Sequence, residues 1–275
     1  KVGIGNINLI YENAHRKYCL PFSEANLTDA NKEYLQKYLD VTKSQMFFAK
    51  GIIFVEGISE AILLPEIAKI LDRPLEKYSV EVVNVDSVAF SPFVNLFSSH
   101  SVQTCFSKVA IVTDDDRCAK KSETNYINKD FDYDDVNSDI SDKLLNGTPS
   151  ERCNELETSC RAVGINVFKA TKTLEYALCC DENNIEYFIE AIKSEYSQLG
   201  PALEQKVNSL HDMNEKAACV WLFIQVRDKC KGAIAQYISQ TIKKQCEMRK
   251  RGETIEKEFV IPDYLKEAVF CVTER

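Results

Sequence analysis

The sequence predicts an α/β fold in which helices flank a parallel sheet. Three apolar segments, 50–56, 79–85 and 108–114, have the composition of strands that are buried on both faces. Segments with helical spacing separate them, and the order strand, helix, strand, helix, strand indicates a doubly wound sheet with right-handed crossovers. The 275 residues are 45% hydrophobic, which is enough apolar material for such a core.

The region before the sheet is predicted to contain a helix. Residues 27–39 repeat apolar side chains at helical spacing, and Thr28 or Asp29 can cap the start of that helix. The first core strand follows. Residues 59–71 then predict a helix in which Pro65 is tolerated within the first turns.

The second and third strands are separated by a short predicted helix around AFSPFVNLF. Residues 121–150, which follow the third strand, are polar and acidic, with six aspartates between 130 and 142. This composition predicts a solvated loop, since the aspartates do not have the spacing of a calcium-binding loop.

The remaining sequence is predicted to be mostly helical. SERCNELETSCRAVG indicates a helix, and INVFKA indicates a strand that runs on to TLEYALC. Helices are then predicted over about 183–199, 202–229 and 231–249, and Pro262 is expected at the first position of a final helix.

Composition excludes several classes of protein. The longest apolar run is too short for a membrane span of about 20 residues, and no signal peptide is recognisable, so a cytoplasmic protein without a membrane partner is expected. The eleven cysteines are odd in number and lack a C-x-x-C pair, which favours reduced thiols over disulfides or zinc.

The net charge of −8 argues against a protein that coats nucleic acid. A basic stretch from Arg227 to Arg251 is, taken alone, a solvated helix face.

Acidic residues follow two of the predicted strands. Glu56 ends the first strand, and Asp114 and Asp116 end the third, so all three are expected at the carboxyl edge of the sheet, where ligands collect. Gly57 lets the chain turn sharply, which brings Glu60 in the first turn of the next helix close above Glu56.

Each of these acids also has an ordinary structural interpretation. Glu60 could simply favour the positive end of its helix, and the aspartates could be solvated loop residues. Asp115 is expected to point away from Asp114 and Asp116. Converging carboxylates repel one another unless cations lie among them, and two magnesium ions about 4 Å apart would support in-line attack on a phosphodiester.

The motifs together resemble a known family. FFAKGIIFVEGISEAILLPEIAKIL, VEVVNVDSVAFSPFVNLF and KVAIVTDDDR, followed by TLEYAL, KGAIAQYISQTI and IPDYLKEAV, resemble the Toprim domain of the OLD family of ATP-dependent endonucleases, which includes the nuclease subunit of the Gabija anti-phage system. The resemblance runs from about Leu35 to Val269. It implies a Rossmann-like Toprim sheet, a helical carboxyl-terminal part and metal-dependent cleavage of DNA.

The resemblance also assigns expected roles. Glu56, Asp114, Asp116 and Lys231 are expected to be catalytic, with Lys231 stabilising the phosphate. Two ions of Mg²⁺ or Mn²⁺ are expected on Glu56, Glu60, Asp114, Asp116 and Glu175. Because Lys231 lies within the basic stretch, DNA binding is expected from Lys229, Lys243, Lys244, Arg249, Lys250 and Arg251, beside the metal site.

The implied organisation has three parts. Residues 1–48 are expected to be a linker, an arm or the tail of an ATPase domain, 49–200 the Toprim core with its acidic loop, and 201–275 a helical part that completes the nuclease site. The sequence has no G-x-x-x-x-G-K-[ST] motif, so no ATP site is expected in the chain itself. The implied partners are DNA, an ATPase domain of the same protein, a helicase-like protein and a second copy of the chain.

Three alternative functions are also compatible with parts of this pattern. A haloacid dehalogenase phosphatase would have Thr or Val where this chain has Cys118, and a downstream Gly-Asp pair that is absent. A topoisomerase or primase Toprim domain would need a tyrosine nucleophile domain or a zinc module, and neither is recognisable. The third alternative is a Toprim domain that has the same fold and binds DNA or a partner, but does not cleave DNA.

Overall fold

The computed structural model describes residues 3–13, 15–25, 27–38, 43–97, 108–118 and 131–274. The strands are β1 (Asn8–Asn13), β2 (Arg16–Pro21), β3 (Gly51–Val55), β4 (Val80–Asn84), β5 (Lys108–Asp114) and β6 (Asn166–Ala170). The helices are α1 (Asp29–Tyr38), α2 (Ile58–Ile70), α3 (Leu75–Tyr78), α4 (Ser91–Phe97), α5 (Ser138–Asn146), α6 (Glu151–Ala162), α7 (Leu174–Cys179), α8 (Glu182–Glu195), α9 (Leu199–Ser209), α10 (Met213–Val226), α11 (Lys231–Arg251) and α12 (Asp263–Thr273).

A parallel sheet in the order β4-β3-β5-β6 forms the centre of the fold, as the sequence predicts. Every residue of β3 is buried, because helices cover both faces of the sheet. Ile53 and Val55 face one core together with α2, α11 and α12. Ile52 and Phe54 face a second core that is filled by aromatic side chains of α4.

Helices α2 and α11 lie side by side and run in the same direction. A Cβ atom on Gly232, near the start of α11, would lie 4.0 Å from the Ile58 side chain at the start of α2. Near the other ends of the two helices, Arg249 Nη1 donates to the Ile70 carbonyl at 3.3 Å. Both helices therefore begin at the carboxyl edge of the sheet and run towards its amino edge.

Helix α12 runs antiparallel to the strands. Its end lies at their beginning, since the Val272 carbonyl oxygen would lie 3.3 Å from a Cβ atom on Gly51, and Lys108 Nζ donates to the Glu274 carbonyl. With a rise of about 1.5 Å per residue, the helix extends for about 16 Å along strands that rise about 3.3 Å per residue. The first turn of α12 is thus carried to the carboxyl edge.

The structure contains a β-hairpin that was not predicted from the sequence. Strands β1 and β2 pair antiparallel, and Leu9 and Leu20 pack into the same core as Phe54. The available signal was a pair of short apolar runs, Leu9 to Tyr11 and Tyr18 to Leu20, on either side of a polar segment.

Three predictions in the second half of the chain were wrong in detail. TLEYALC is a helix, α7, because Thr173 caps it by accepting a hydrogen bond from the Tyr176 amide. The single helix predicted over 202–229 is two helices, α9 and α10, because Asp212 accepts hydrogen bonds from the amides of Asn214 and Glu215 and starts a new helix. Pro262 is the residue before α12 rather than its first residue.

The acidic segment is partly structured. Residues 119–130 lie outside the described part of the chain, but within 131–150 the predicted solvated loop is replaced by α5. Asn137 caps this helix, and Ile140 and Leu144 are buried in the core that contains α10. Ile140 and Leu144 are four residues apart and share one face of the helix, a signal that the count of aspartates obscured.

None of the described helices is both long enough and apolar enough to cross a bilayer.

Candidate functional site

A cavity of about 560 Å³ opens at the carboxyl edge of the sheet, between the ends of β3 and β5 and the starts of α2, α7 and α11. This volume is typical of pockets that hold small ligands, at roughly 300–1,000 Å³. The acidic residues that line it are Glu56, Glu60, Asp86, Asp114 and Glu175, and the basic residues are Lys229 and Lys231. The structure therefore brings together most of the predicted site.

Glu60 is buried in the first turn of α2, with only 5% of its surface exposed. Burial and the charges of Glu175 and Glu56 raise the pKa of Glu60 to about 7, although its own backbone amide and Lys231 act in the opposite direction. A glutamate that only favoured the helix terminus would lie in solvent, so its burial among other acids argues against the capping interpretation.

The chain bends at Glu56 and Gly57, between β3 and α2, as the sequence predicts. The bend does not itself require glycine, because the φ of −137° and ψ of 179° at Gly57 are extended backbone that any residue adopts. A Cβ atom at this position, however, would lie 3.1 Å from Glu60 Oε2, because that carboxylate folds back over the glycine. Glycine is therefore suited to this position by the close approach of Glu60.

Asp114 is the last residue of β5 and is half-buried. Its Oδ1 accepts a hydrogen bond from the Leu174 amide at 2.9 Å, which ties β5 to the start of α7. Burial, followed by the charges of Glu60, Glu175 and Glu56, raises the pKa of Asp114 well above its usual value. These acids thus destabilise one another's charges.

Glu175 reaches the same cavity from the first turn of α7 and is 6% exposed. Its Oε1 accepts a weak hydrogen bond from Ser59 Oγ at 3.4 Å. The short helix that replaces the predicted strand extension is what points Glu175 inwards.

Arg152 joins the site without having been predicted. Its Nη2 lies 2.7 Å from Asp116 Oδ2 and 3.7 Å from Glu56 Oε2, and it also donates to the Asp114 carbonyl at 3.3 Å. Thr113 Oγ1 donates to Glu56 Oε2 at 2.7 Å. A sequence signal existed, because an arginine in the first turn of α6 opposes the helix dipole and so suggests another role.

The second and third aspartates of TDDD are arranged differently from the prediction. Asp115 is 2% exposed and forms a close ion pair with Arg117, at 2.6 Å, while also accepting the Lys172 amide. It is therefore a structural residue rather than a solvated or cation-binding one. Asp116 has a φ of +50°, so the strand geometry has ended there; it faces Arg152 and does not line the cavity.

The basic residues fall into two groups. Lys229 and Lys231 line the cavity at the start of α11. Lys243, Lys244, Arg249, Lys250 and Arg251 lie about 18–30 Å further along the helix axis, at 1.5 Å per residue. Arg249 pairs with Glu258 at 3.2 Å. The expectation that the whole stretch lies beside the acids was wrong, because α11 carries its end to the opposite edge of the sheet.

The cavity has the chemistry of a divalent cation site but not a closed shell of ligands. Among the described residues, no three His, Cys, Asp or Glu side chains are gathered around one point. The donors are carboxylate oxygens, which Mg²⁺ and Mn²⁺ prefer. The raised pKa values of Glu60 and Asp114 come first from burial and then from the charges of the neighbouring acids, and a bound cation would offset both effects. The donor set therefore fits such an ion.

One segment of the chain is similar to known proteins in its sequence. Residues 47–116 match the family model "Overcoming lysogenization defect protein-like, TOPRIM domain". A segment of 86 residues, 30% of this chain, is 33% identical to Endonuclease GajA of Bacillus cereus (strain HuB5-5) and spans 12% of that protein. The chain thus matches only a small part of the length of this relative.

Solved structures agree on the fold. The C-terminal region of the Xanthomonas campestris pv. campestris OLD protein, phased with platinum, has a TM-score of 0.51 and 21% identity, covering 84% of this chain and 95% of that one. Its mercury-phased form has the same TM-score and covers 83% and 96%. The fold class and the resemblance drawn from the sequence motifs are confirmed.

Proposed function

We propose that this chain is a divalent-metal-dependent DNA endonuclease, a proposal supported by the match of residues 47–116 to the OLD-like Toprim family model. It would hydrolyse phosphodiester bonds as the nuclease part of an OLD-family, ATP-regulated protein that acts in anti-phage defence or DNA processing. The observation that carries the proposal is the cavity that the buried Glu60 and Glu175 line together with Asp114 and Lys231.

The roles within this cavity follow from charge and position. Mg²⁺ or Mn²⁺ would be held by Glu56, Glu60, Asp114 and Glu175, with Asp116 at the edge, and when bound would activate water and neutralise the charge that develops on the phosphate. Lys231, which faces the acids from the start of α11, would stabilise the non-bridging oxygens of the substrate.

Arg152 would balance the charges of Glu56 and Asp116 while the substrate binds. Its Nη1 is buried and has no partner among the described residues. Since this nitrogen is closed to solvent and Arg152 does not line the cavity, its proposed role is to hold the carboxylates of Glu56 and Asp116 in place rather than to bind the substrate.

DNA would extend from the cavity along α11. The basic residues at the far end of that helix lie about 30 Å away, which corresponds to about nine base pairs at 3.4 Å each. Lys229 would contact the backbone near the cleaved bond, and Lys250 would contact it at a distance.

The proposal keeps the three-part organisation. Residues 1–48 would join the Toprim core, 49–200, to an ATPase domain of the same protein, and residues 201–275 would complete the site by supplying Lys231. A helicase-like partner and a second copy of the chain are the further proposed partners.

A non-catalytic Toprim module is the second candidate. The observation that favours it is that no three acidic side chains of the described chain are gathered around one point. In this case the lysines of the cavity would bind DNA. The negative charges of the acids would limit how closely the phosphate backbone of the DNA approaches the cavity.

A plasmid assay separates the two candidates. Supercoiled plasmid is incubated with Mg²⁺ or Mn²⁺ and with the wild type, Asp114→Asn or Asp139→Asn, the last being a control because Asp139 is on the surface of α5 with a side chain that is 71% exposed. We expect nicking by the wild type and by Asp139→Asn and none by Asp114→Asn. DNA binding without nicking by any form would favour the non-catalytic module, and equal nicking by wild type and Asp114→Asn would overturn the proposed site.

A further inference from the structure

Tyr264 lies in the first turn of α12, which the antiparallel course of this helix brings to the carboxyl edge of the sheet. Helix α12 packs along β3, which Glu56 follows, and along β5, which ends at Asp114. The tyrosine therefore stands on the core side of the acids that line the cavity.

The hydroxyl group of Tyr264 is buried and has no hydrogen-bond partner among the residues that the structure describes. An unsatisfied buried hydroxyl costs about 1–3 kcal/mol, and a phenylalanine would avoid this cost in the same shape. Burial and the charges of Asp114, Glu60 and Glu175 raise the pKa of Tyr264 well above its usual value. The group is therefore a permanent donor near those three acids.

Metal-binding carboxylates generally accept hydrogen bonds from a surrounding layer of donors that fixes their orientation. In the described structure Asp114 accepts from the Leu174 amide, and Glu175 accepts only weakly from Ser59. A rigid aromatic donor on the core side of the acids would supply what this layer lacks.

We propose that Tyr264 is a positioning residue: its buried hydroxyl, which has no partner in the described structure, donates to one of these carboxylates, Asp114 foremost, when a divalent cation binds, and so orients that ligand. The inference rests on the proposed function, since it assumes that these acids bind metal. It adds that the carboxyl-terminal helix, and not only the strand ends, determines the affinity of the site for metal.

The experiment measures the binding of Mn²⁺ alone to the whole chain, by isothermal titration calorimetry and by electron paramagnetic resonance at pH 8. The variants are Tyr264→Phe, Asp114→Asn and the matched control Tyr176→Phe. Tyr176 also has a buried hydroxyl, but the charged and polar groups near it are Cys180, Arg117 and Asp212 rather than the acids of the cavity. The melting temperature of each metal-free protein is measured alongside.

We expect Tyr264→Phe to weaken Mn²⁺ binding by about 10- to 100-fold, the usual effect of removing such a donor. Its metal-free melting temperature should equal or exceed that of the wild type, because no partner is lost. Tyr176→Phe should bind Mn²⁺ like the wild type.

The two proposals fail in different ways. If Asp114→Asn abolishes Mn²⁺ binding but Tyr264→Phe binds like the wild type, the metal site stands and the role of Tyr264 is overturned. If the wild type does not bind Mn²⁺, or Asp114→Asn binds it equally well, the proposed metal site is overturned and the role of Tyr264 falls with it.

Discussion

Replacing Glu60 with glutamine should stabilise the metal-free protein above neutral pH. Glu60 is 5% exposed, and its pKa is raised from 4.5 to about 7 by burial and by neighbouring acids. Glutamine has nearly the same shape and carries no charge. The variant therefore removes a repulsive charge from the cavity and leaves its packing in place.

The direction of the pH dependence of stability follows from proton linkage. Because the pKa of Glu60 is higher in the folded protein than in the unfolded chain, folding takes up a proton, and the associated stability is complete below pH 4.5 and lost as the pH rises through about 7. The shift corresponds to a maximum of about 3 kcal/mol at 1.36 kcal/mol per pKa unit. Since Asp114 shares this repulsion, we expect about 2–3 kcal/mol, or roughly 4–12 °C in melting temperature.

The assay is thermal and urea unfolding in EDTA at pH 5 and pH 8. We expect Glu60→Gln to exceed the wild type at pH 8 and to match it more closely at pH 5. Glu247→Gln, which changes an exposed glutamate of α11, is the control and should differ little from the wild type at either pH. Added Mg²⁺ should stabilise the wild type by about 2.7 kcal/mol at 100 times its dissociation constant. It should stabilise Glu60→Gln by less.

Two results would refute this reasoning. One is a variant that is less stable than the wild type at pH 8 without metal, which would mean that Glu60 stabilises the fold as a charge. The other is a difference in stability between the two proteins that is the same at pH 5 and pH 8, because a titrating carboxylate must produce a change between them.

Three further changes test other parts of the structure. Asp115→Asn should destabilise the protein by about 3–5 kcal/mol in urea unfolding, because it leaves the Arg117 guanidinium without its buried partner; a loss below 1 kcal/mol would show that the ion pair is effectively solvated. Gly57→Ala should weaken Mn²⁺ binding in a titration while changing stability little, since its Cβ atom would press on Glu60 in backbone that alanine tolerates; a large loss of stability would show that the bend itself requires glycine. Lys250→Ala should lower the slope of log affinity for DNA against log salt by about one, and an unchanged slope would remove the far end of α11 from the DNA surface.

The central sheet could be predicted because its strands are continuous apolar runs, the pattern that burial on both faces requires. The acids of the cavity could be predicted for a related reason, since the carboxyl ends of parallel strands meet at one edge. Glu56, Glu60 and Asp114 are close to strand ends in the sequence, and their meeting needs only the order of the strands.

The errors concern contacts that local patterns do not encode. Arg152 reaches Asp116 from a helix that begins 35 positions after that aspartate, so its pairing depends on how α6 is placed. Asp115 and Asp116 leave strand geometry at the end of β5, which invalidates the alternation used to assign their sides. Lys250 was placed beside Lys231 because both belong to one basic stretch, although the length of α11 separates them.

The antiparallel course of α12 also has a consequence for the order of events during synthesis. Strands β3 and β5, which position Glu56 and Asp114, leave the ribosome before α11 and α12, which bring Lys231 and Tyr264. Contacts between such distant parts of a chain form slowly, because a long loop must close first. The nascent polypeptide can therefore shape most of its sheet while the acidic cavity is still incomplete, and any cleavage activity would begin only after α12 has docked.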